Sequence, residues 1–367
     1  MKLSGFELRR VQMPLVTPFR TSFGIQTHRD IPLIRAVGED VEGWGECVAL
    51  VDPVYSSEYA DGVIDVMTKF FIPALAAGIP DAVSVSHTLS PFKGHRMAKA
   101  ALEMAVLDAE LRLAARSFAR ELGSIHDKVP CGVSVGIMDS IPQLLDFVAR
   151  YIDEGYRRIK IKIEPGWDIS PVAAIRERWP SIPLQVDANT AYTLADARHL
   201  AKLDDFDLLL IEQPLDEEDV LGHAELARQL HTPICLDESI VSAASAAAAI
   251  KLGATSVINI KPGRVGGYLE ARRIHDVAQA NGIPVWCGGM VESGLARAAN
   301  IALASLPGFT LPGDVSASSR FYVQDITGPW VMEDGYLTVP TGPGLGVEPI
   351  PEILEDLTTW KRWVPLG

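Results

Sequence analysis

The sequence is short of cysteine, of basic charge and of long apolar runs, and each shortage removes a class of protein. Its four cysteines, Cys47, Cys131, Cys235 and Cys287, lie 84, 104 and 52 residues apart, with no C-x-x-C pair. A disulfide-stapled secreted scaffold or a zinc ribbon spaces them closely, so reduced thiols in the cytoplasm are expected. Lys and Arg total 33 against 47 Asp and Glu, a formal charge of −14. A nucleic-acid backbone is bound by the opposite sign, so no nucleic-acid partner is expected. The most uniform apolar stretch, 240–250, is broken by serines and bracketed by Glu238 and Lys251. It falls short of the roughly 18 apolar residues that suggest a membrane span, and no membrane partner is expected. Residues 1–10 alternate polar and apolar side chains, which predicts a strand rather than a signal peptide. No low-complexity linker divides the chain, and none of the eight histidines forms H-E-x-x-H.

What is present is a chain of 367 residues, 48% apolar and 22% charged, which is long and apolar enough to bury a large core. At this size roughly three quarters of the unfolded surface can be buried, which excludes a disordered or fibrous protein. A prior of about 150 residues per domain suggests two domains, although one α/β barrel can reach about 250 residues.

From Cys131 onward, short β-branched runs alternate with Ala- and Leu-rich amphipathic stretches, the pattern of βα units around a parallel sheet. Strands are predicted over 131–136, 158–163, 184–187, 208–212, 234–237, 257–261, 284–288 and 309–311. Between them Ser170 and Pro171 suit an N-cap followed by N1, Leu226 and Leu230 repeat at i, i+4, and Ile274, Val277 and Ala278 share a face. No clear helix follows the eighth strand, which suits a closed barrel of seven βα units and one last strand. Before it, 2–14 and 31–47 are expected as antiparallel strands, and 56–71 and 97–113 as helices. Beyond it, 336–339 is expected as a strand and 351–363 as a helix. The expected division is a capping domain over 1–125, a barrel over 126–320, and a tail over 321–367 returning to the cap.

Charged residues recur once per βα unit. Lys162 to Asp187, Asp187 to Glu212 and Glu212 to Asp237 are each 25 residues, and Asp237 to Lys261 is 24. Successive barrel strands end at one face, so residues one repeat apart ring a single cavity, where barrel enzymes place their chemistry. Strand alternation supports this. If Lys162 points inward so does Lys160, leaving Ile159, Ile161 and Ile163 to face helices, and Asp237 shares its face with Cys235 while Ile234 and Leu236 face out.

Three converging carboxylates repel one another unless a cation joins them. Ligation by Asp187, Glu212 and Asp237, all oxygen, suits Mg²⁺, which keeps waters and accepts substrate oxygens. Lys162 and Lys261, from strands on opposite sides of the acids, would flank a small-molecule carboxylate. The chemistry this suits is removal of a proton α to that carboxylate, because a metal stabilises the enediolate charge as it develops. A lysine base must be neutral, and Lys160 beside Lys162, with the cation, is expected to lower the base from about 10.4 toward about 7 or 8.

Lys160-Ile161-Lys162, Asp187-Ala188-Asn189, Glu212-Gln213-Pro214, Asp237-Glu238-Ser239 and Lys261-Pro262-Gly263 resemble the motifs of the enolase superfamily, muconate-lactonizing-enzyme subgroup. Within it, Pro18-Phe19-Arg20-Thr21-Ser22-Phe23-Gly24, Gly43-Trp44-Gly45-Glu46-Cys47 and Gly263-Arg264-Val265-Gly266-Gly267 are most similar to o-succinylbenzoate synthases that also racemise N-acylamino acids. The resemblance implies a (β/α)7β TIM-like barrel of the α/β class with an N-terminal α+β capping domain, whose loop at 18–24 closes over the site. It implies Mg²⁺, with Mn²⁺ or Co²⁺ able to substitute, and a homo-oligomer. It makes Lys162 and Lys261 catalytic, and gives substrate contacts to Lys160, Ser134, Asn189, Arg264, Phe19, Phe23, Tyr55, Gly289, Met290 and Val291, with Glu238 behind the metal ligands. The reactions implied are syn-dehydration to o-succinylbenzoate, a menaquinone-pathway step, and N-acylamino acid racemisation.

Other readings compete. A dipeptide epimerase or cycloisomerase shares the proton abstraction, but the epimerases this fold resembles carry Asp-x-Asp where Asp314-Val315-Ser316 stands. Gly132-Val133-Ser134-Val135-Gly136 satisfies the G-x-S-x-G expression of a serine hydrolase, although the elbow needs a strained strand-to-helix turn. A non-catalytic acid-binding scaffold would not need both lysines.

Overall fold

The computed structural model describes residues 1–22, 24–77 and 81–366, so Phe23 lies outside the described residues. Strands β1 (Leu3–Thr21), β2 (Gly24–Gly38) and β3 (Glu42–Glu46) form an antiparallel sheet at the start of the chain. The hairpin runs further than 2–14, and the stretch 31–47 is two strands, because Gly38 closes a turn onto Val41. Helix Arg96–Leu113 lies against this sheet. Gly43 and Gly45 permit the approach, since a Cβ on either would meet helix backbone at 2.3 Å or closer.

After the short β4 (Lys128–Pro130), seven parallel strands follow in spatial order. They are β5 (Gly132–Val135), β6 (Arg158–Lys162), β7 (Leu184–Asp187), β8 (Ile211–Glu212), β9 (Ile234–Leu236), β10 (Val257–Ile260) and β11 (Val285–Cys287). The eighth stave differs from the expected strand over 309–311. It meets its neighbours at two parallel bridges, Phe309 to Val285 and Cys131 to Gly313, with Gly132 N–H donating to the Gly313 carbonyl at 2.7 Å, Asp314 N–H to the Cys287 carbonyl at 2.8 Å and Val285 N–H to the Gly308 carbonyl at 3.2 Å. Pro312 has no N–H to give, so a regular ladder cannot form there. These bridges still close the ring.

Inside and outside follow the alternation of each strand. Leu210, Cys235, Val257 and Trp286 form a small apolar cluster of their own within the barrel, while Ile159, Ile161, Ile234 and Leu236 belong to the main core shared with the helices. Lys160 and Arg158, both buried, lie 4.7 and 5.1 Å from the Trp286 ring centroid.

Two local expectations are corrected. Helix Ile169–Arg178 is capped by Asp168, whose side chain accepts from Ile169 N–H, not by Ser170. After β12 (Tyr336–Thr338), helix Pro351–Leu357 stops early, and the rest of the expected helix is β13 (Thr358–Pro365), antiparallel to β1 from Gly5–Pro365 to Val11–Thr358. Thr358, Thr359, Trp360, Trp363 and Val364 are strand formers, and an open sheet edge decides for them. Pro14 pairs with His28 but Phe19 with Gln26, so a bulge bends the β1–β2 tip toward the barrel, where the Arg20 carbonyl accepts from Ile137 N–H.

Candidate active site

Strand register sets the site. Lys162 lies opposite Asp187 across β6 and β7, and Asp187 opposite Glu212 across β7 and β8. The 25-residue spacing thus puts Lys162, Asp187 and Glu212 in one register at the C-terminal end of the barrel, while Glu212 pairs with Cys235 and Cys235 with Val257, so Asp237 stands two residues beyond that register and Lys261 four. Four non-glycine residues there, Asn189, Thr190, Gln213 and Val291, hold φ of +41°, +66°, +37° and +60°. Such strain gathers where surrounding contacts over-determine the backbone.

The side chains interlock as ion pairs. Lys162 Nζ donates to Asp187 Oδ2 and to Asn189 Oδ1, each at 2.6 Å. Lys160 Nζ lies 2.9 Å from Glu212, 3.2 Å from Asp187 and 2.7 Å from Asp314. Lys261 Nζ donates to Asp237 Oδ2 at 2.7 Å and to the Tyr55 hydroxyl at 3.1 Å, 4.8 Å from that ring's centroid. Arg264 pairs with Asp237 and donates to the carbonyls of Ile240 and Asn259 at 3.0 and 2.8 Å. Gln213 Oε1 accepts from Asp237 N–H at 3.0 Å and Ser239 N–H at 3.2 Å, fixing the turn that presents Asp237.

The electrostatics of a buried cluster follow. Burial alone would lower Lys160, but Asp314, Glu212 and Asp187 outweigh it and raise it above the ordinary lysine range. For Lys261 burial is likewise outweighed, by Tyr55 and by Glu238, Glu212 and Asp187. Lys160 therefore stands as a cation, holding acids apart. Burial, then the Asp187 charge, raises Glu212, and burial pushes Glu238 up to about 7.

Fitness for a cation can be judged from these acids. Among the described residues no three acidic, histidine or cysteine side chains are gathered closely enough to ligate one ion as they stand, because each acid turns to a lysine or arginine. The donors are nevertheless all hard oxygens on neighbouring strand ends, and Glu238 Oε2 and Asn259 Oδ1 are buried without a hydrogen-bond partner. A buried carboxylate oxygen left so calls for a cation or a proton. The donor set fits Mg²⁺.

One pocket brings the three lysines together. Lys160, Lys162 and Lys261 line it together with Phe19, Ser134, Gly289, Val291, Asp314, Ser316 and Phe321. Ser134 Oγ is buried there without a hydrogen-bond partner. It sits within β5 rather than on a strand-to-helix turn, so the G-x-S-x-G match is no nucleophile elbow. Tyr55, Asn189, Glu238 and Arg264 stand behind the lysines and acids, and Met290 spends its N–H on Glu292 at 2.9 Å. Asp314, Arg158 and Asn259 were missed as partners. Asp314 accepts from Arg158 at 2.9 Å and Asn259 Nδ2 donates to Glu212 at 2.6 Å. Alternation could have found Arg158, which shares its face with Lys160 and Lys162.

A closed parallel barrel whose consecutive strand ends carry three acids between lysines, beside one apolar-walled pocket, defines an enzyme acting on a small anion. The family model described as "Enolase C-terminal domain-like" matches residues 143–353. The chain is 70% identical over 366 residues to an N-succinylamino acid racemase of Amycolatopsis sp., covering 99% of this chain and 100% of that protein. It is 46% identical over 344 residues to an o-succinylbenzoate synthase of Geobacillus stearothermophilus, covering 93% and 92%. Among solved structures, an enolase-superfamily member from Listeria innocua Clip11262 superposes with a TM-score of 0.96 at 38% identity over 100% of both chains. This chain belongs to the enolase superfamily.

Proposed function

We propose that this chain is an o-succinylbenzoate synthase with N-acylamino acid racemase activity, N-succinylamino acids being the racemase substrates. The observation that carries the reading is that Lys162 and Lys261 line one pocket, each hydrogen-bonded to a different acid of the same buried ring. Asp187, Glu212 and Asp237 would hold Mg²⁺, or Mn²⁺ or Co²⁺ in its place. When bound, the cation supplies charge stabilisation to the substrate carboxylate as the α-proton leaves.

The rest falls to the chain's own groups. In the synthase reaction Lys162 takes the α-proton and then assists departure of hydroxide on the same face. Lys261, held against the Tyr55 ring, stays cationic over the other face. In racemisation the two lysines exchange roles, one removing the α-proton and the other returning a proton to the opposite face. Lys160 fixes the spacing of Asp187, Glu212 and Asp314, and Arg264 braces Asp237. Phe19, Phe321 and Val291 wall the pocket, and Ser134 Oγ offers the substrate a hydrogen bond. Ser316 lines the same pocket without the carboxylate that the epimerase reading requires for an ammonium.

We further propose a homo-oligomer working in the cytoplasm, where its four free, buried thiols stay reduced, with the synthase reaction serving menaquinone formation. The deciding experiment incubates the enzyme and Mg²⁺ in D₂O with an N-succinyl amino acid, and separately supplies the cyclohexadiene carboxylate. Deuterium at the α-carbon of both enantiomers together with formation of o-succinylbenzoate is expected. Neither product from folded, metal-loaded enzyme would overturn the reading.

A further inference from the structure

Val291 stands in the left-handed region at φ +60°, a backbone state that a β-branched residue rarely adopts, and it lines the pocket. Such a conformation persists only where neighbours enforce it. Two of the enforcing groups come from far along the chain. Tyr322 donates its hydroxyl to the Val291 carbonyl at 2.6 Å. Glu46, the last residue of β3, accepts from Ser293 N–H through Oε1 at 3.0 Å. Its Oε2 takes the Ser293 hydroxyl, and Ala296 N–H at 3.4 Å.

Within the barrel the turn is tied by Glu292 accepting from Met290 N–H at 2.9 Å and by Arg297 donating to the Glu292 carbonyl at 2.7 Å. Glu46 and Tyr322 are 3% and 2% exposed, and neither lines the pocket. A carboxylate is costly to bury, and here it is spent wholly on the turn that follows Val291.

We propose that Glu46 and Tyr322 are positioning residues for substrate selection, holding Val291 in its left-handed state and so setting the apolar wall against which the substrate side chain packs. The proposal rests on the racemase reading. It follows that the preference for the amino-acid side chain is set partly by how the first sheet and the C-terminal segment seat on the barrel. A large apolar side chain reaches that wall, and a methyl group hardly does.

The test measures racemisation of N-succinylphenylalanine and N-succinylalanine by wild type, Glu46→Gln and Tyr322→Phe, each also in a Val291→Gly background. Glycine adopts positive φ without strain and needs no holding. Each substitution is expected to raise KM for the phenylalanine substrate about tenfold, with kcat within about twofold and the alanine substrate changed less than about threefold. In the Val291→Gly background the same substitutions should move the phenylalanine KM by less than about twofold.

Equal losses in both backgrounds, or on both substrates, overturn the proposal. If Glu46→Gln fails to fold, Tyr322→Phe, which removes a single oxygen, decides alone. Should wild type racemise neither substrate, the racemase reading falls. The coupling is then read from calorimetric Kd values for N-succinylphenylalanine, where the same background dependence is expected and its absence overturns the positioning role.

Discussion

Lys162 and Asp187 face each other in register across adjacent parallel strands, and their side chains meet at 2.6 Å. The pair joins the proposed base to the first acid of the buried cluster. Replacing Lys162 by Ala is expected to lower dehydration, and α-proton exchange of the enantiomer that presents its proton to Lys162, by about a thousandfold or more, within the range for loss of a general base. The variant should still fold, as circular dichroism would show, with a lowered thermal midpoint because Asp187 loses a buried partner. Undiminished dehydration by the alanine variant would remove Lys162 from the mechanism.

On the proposed mechanism the two lysines serve opposite faces, so single variants should separate exchange from racemisation. Lys261→Ala is expected to stop racemisation in both directions, because either direction needs both amines. The variant should still exchange the α-proton of the one enantiomer that presents it to Lys162. Lys162→Ala should exchange only the other. Full racemisation by Lys261→Ala, followed by chiral chromatography in D₂O, would eliminate its assignment as second base.

Metal removal tests the acid ring. Dialysis against excess chelator is expected to abolish both activities, and Mg²⁺ to restore them. Mg²⁺ should also raise the thermal midpoint in a concentration-dependent way, since a ligand that binds only the folded state stabilises it. Asp237→Asn should shift that dependence to higher Mg²⁺. Undiminished turnover in thorough chelator would end the metal reading.

Glu103, on the helix against the first sheet, accepts from Leu269 N–H at 3.1 Å and Ser86 Oγ at 2.8 Å, and burial pushes its carboxyl up to about 7 from 4.5. The folded state binds this proton more tightly than the unfolded state does. The resulting stabilisation is therefore full below about pH 4.5 and lost as pH rises through about 7. Between pH 5.5 and 8 this one group should lower unfolding stability by about 2 kcal/mol. Urea titrations at the two pH values check it. The difference should shrink by about that amount in Glu103→Gln, and an unchanged difference would show that Glu103 titrates normally.

How much of this was legible differs from element to element. Leu184–Asp187 is a strand with the expected ends, and the helix expected over 97–113 runs from Arg96 to Leu113. Both are carried by local periodicity. The stretch 351–363 misled because Pro351-Glu352-Ile353-Leu354 starts a helix, while the β1 edge that takes up Thr358–Pro365 lies some 350 residues away in sequence. Pro312 was visible, yet only the closed ring shows that its missing N–H falls where a ladder bond would lie.

At the site, the repeat of one charge per βα unit places Lys162, Asp187 and Glu212 at one level and Asp237 and Lys261 a few residues beyond it on the same inward face, because parallel strands carry period into register. The sequence by itself determined that level, the inward lysines and the hard-oxygen donors. Only the tertiary structure decided the pairings: Lys160 among three acids, Arg264 on Asp237, and Glu46 and Tyr322 on the turn around Val291. Such contacts join residues far apart in sequence and depend on rotamer and docking, and neither periodicity nor composition records them.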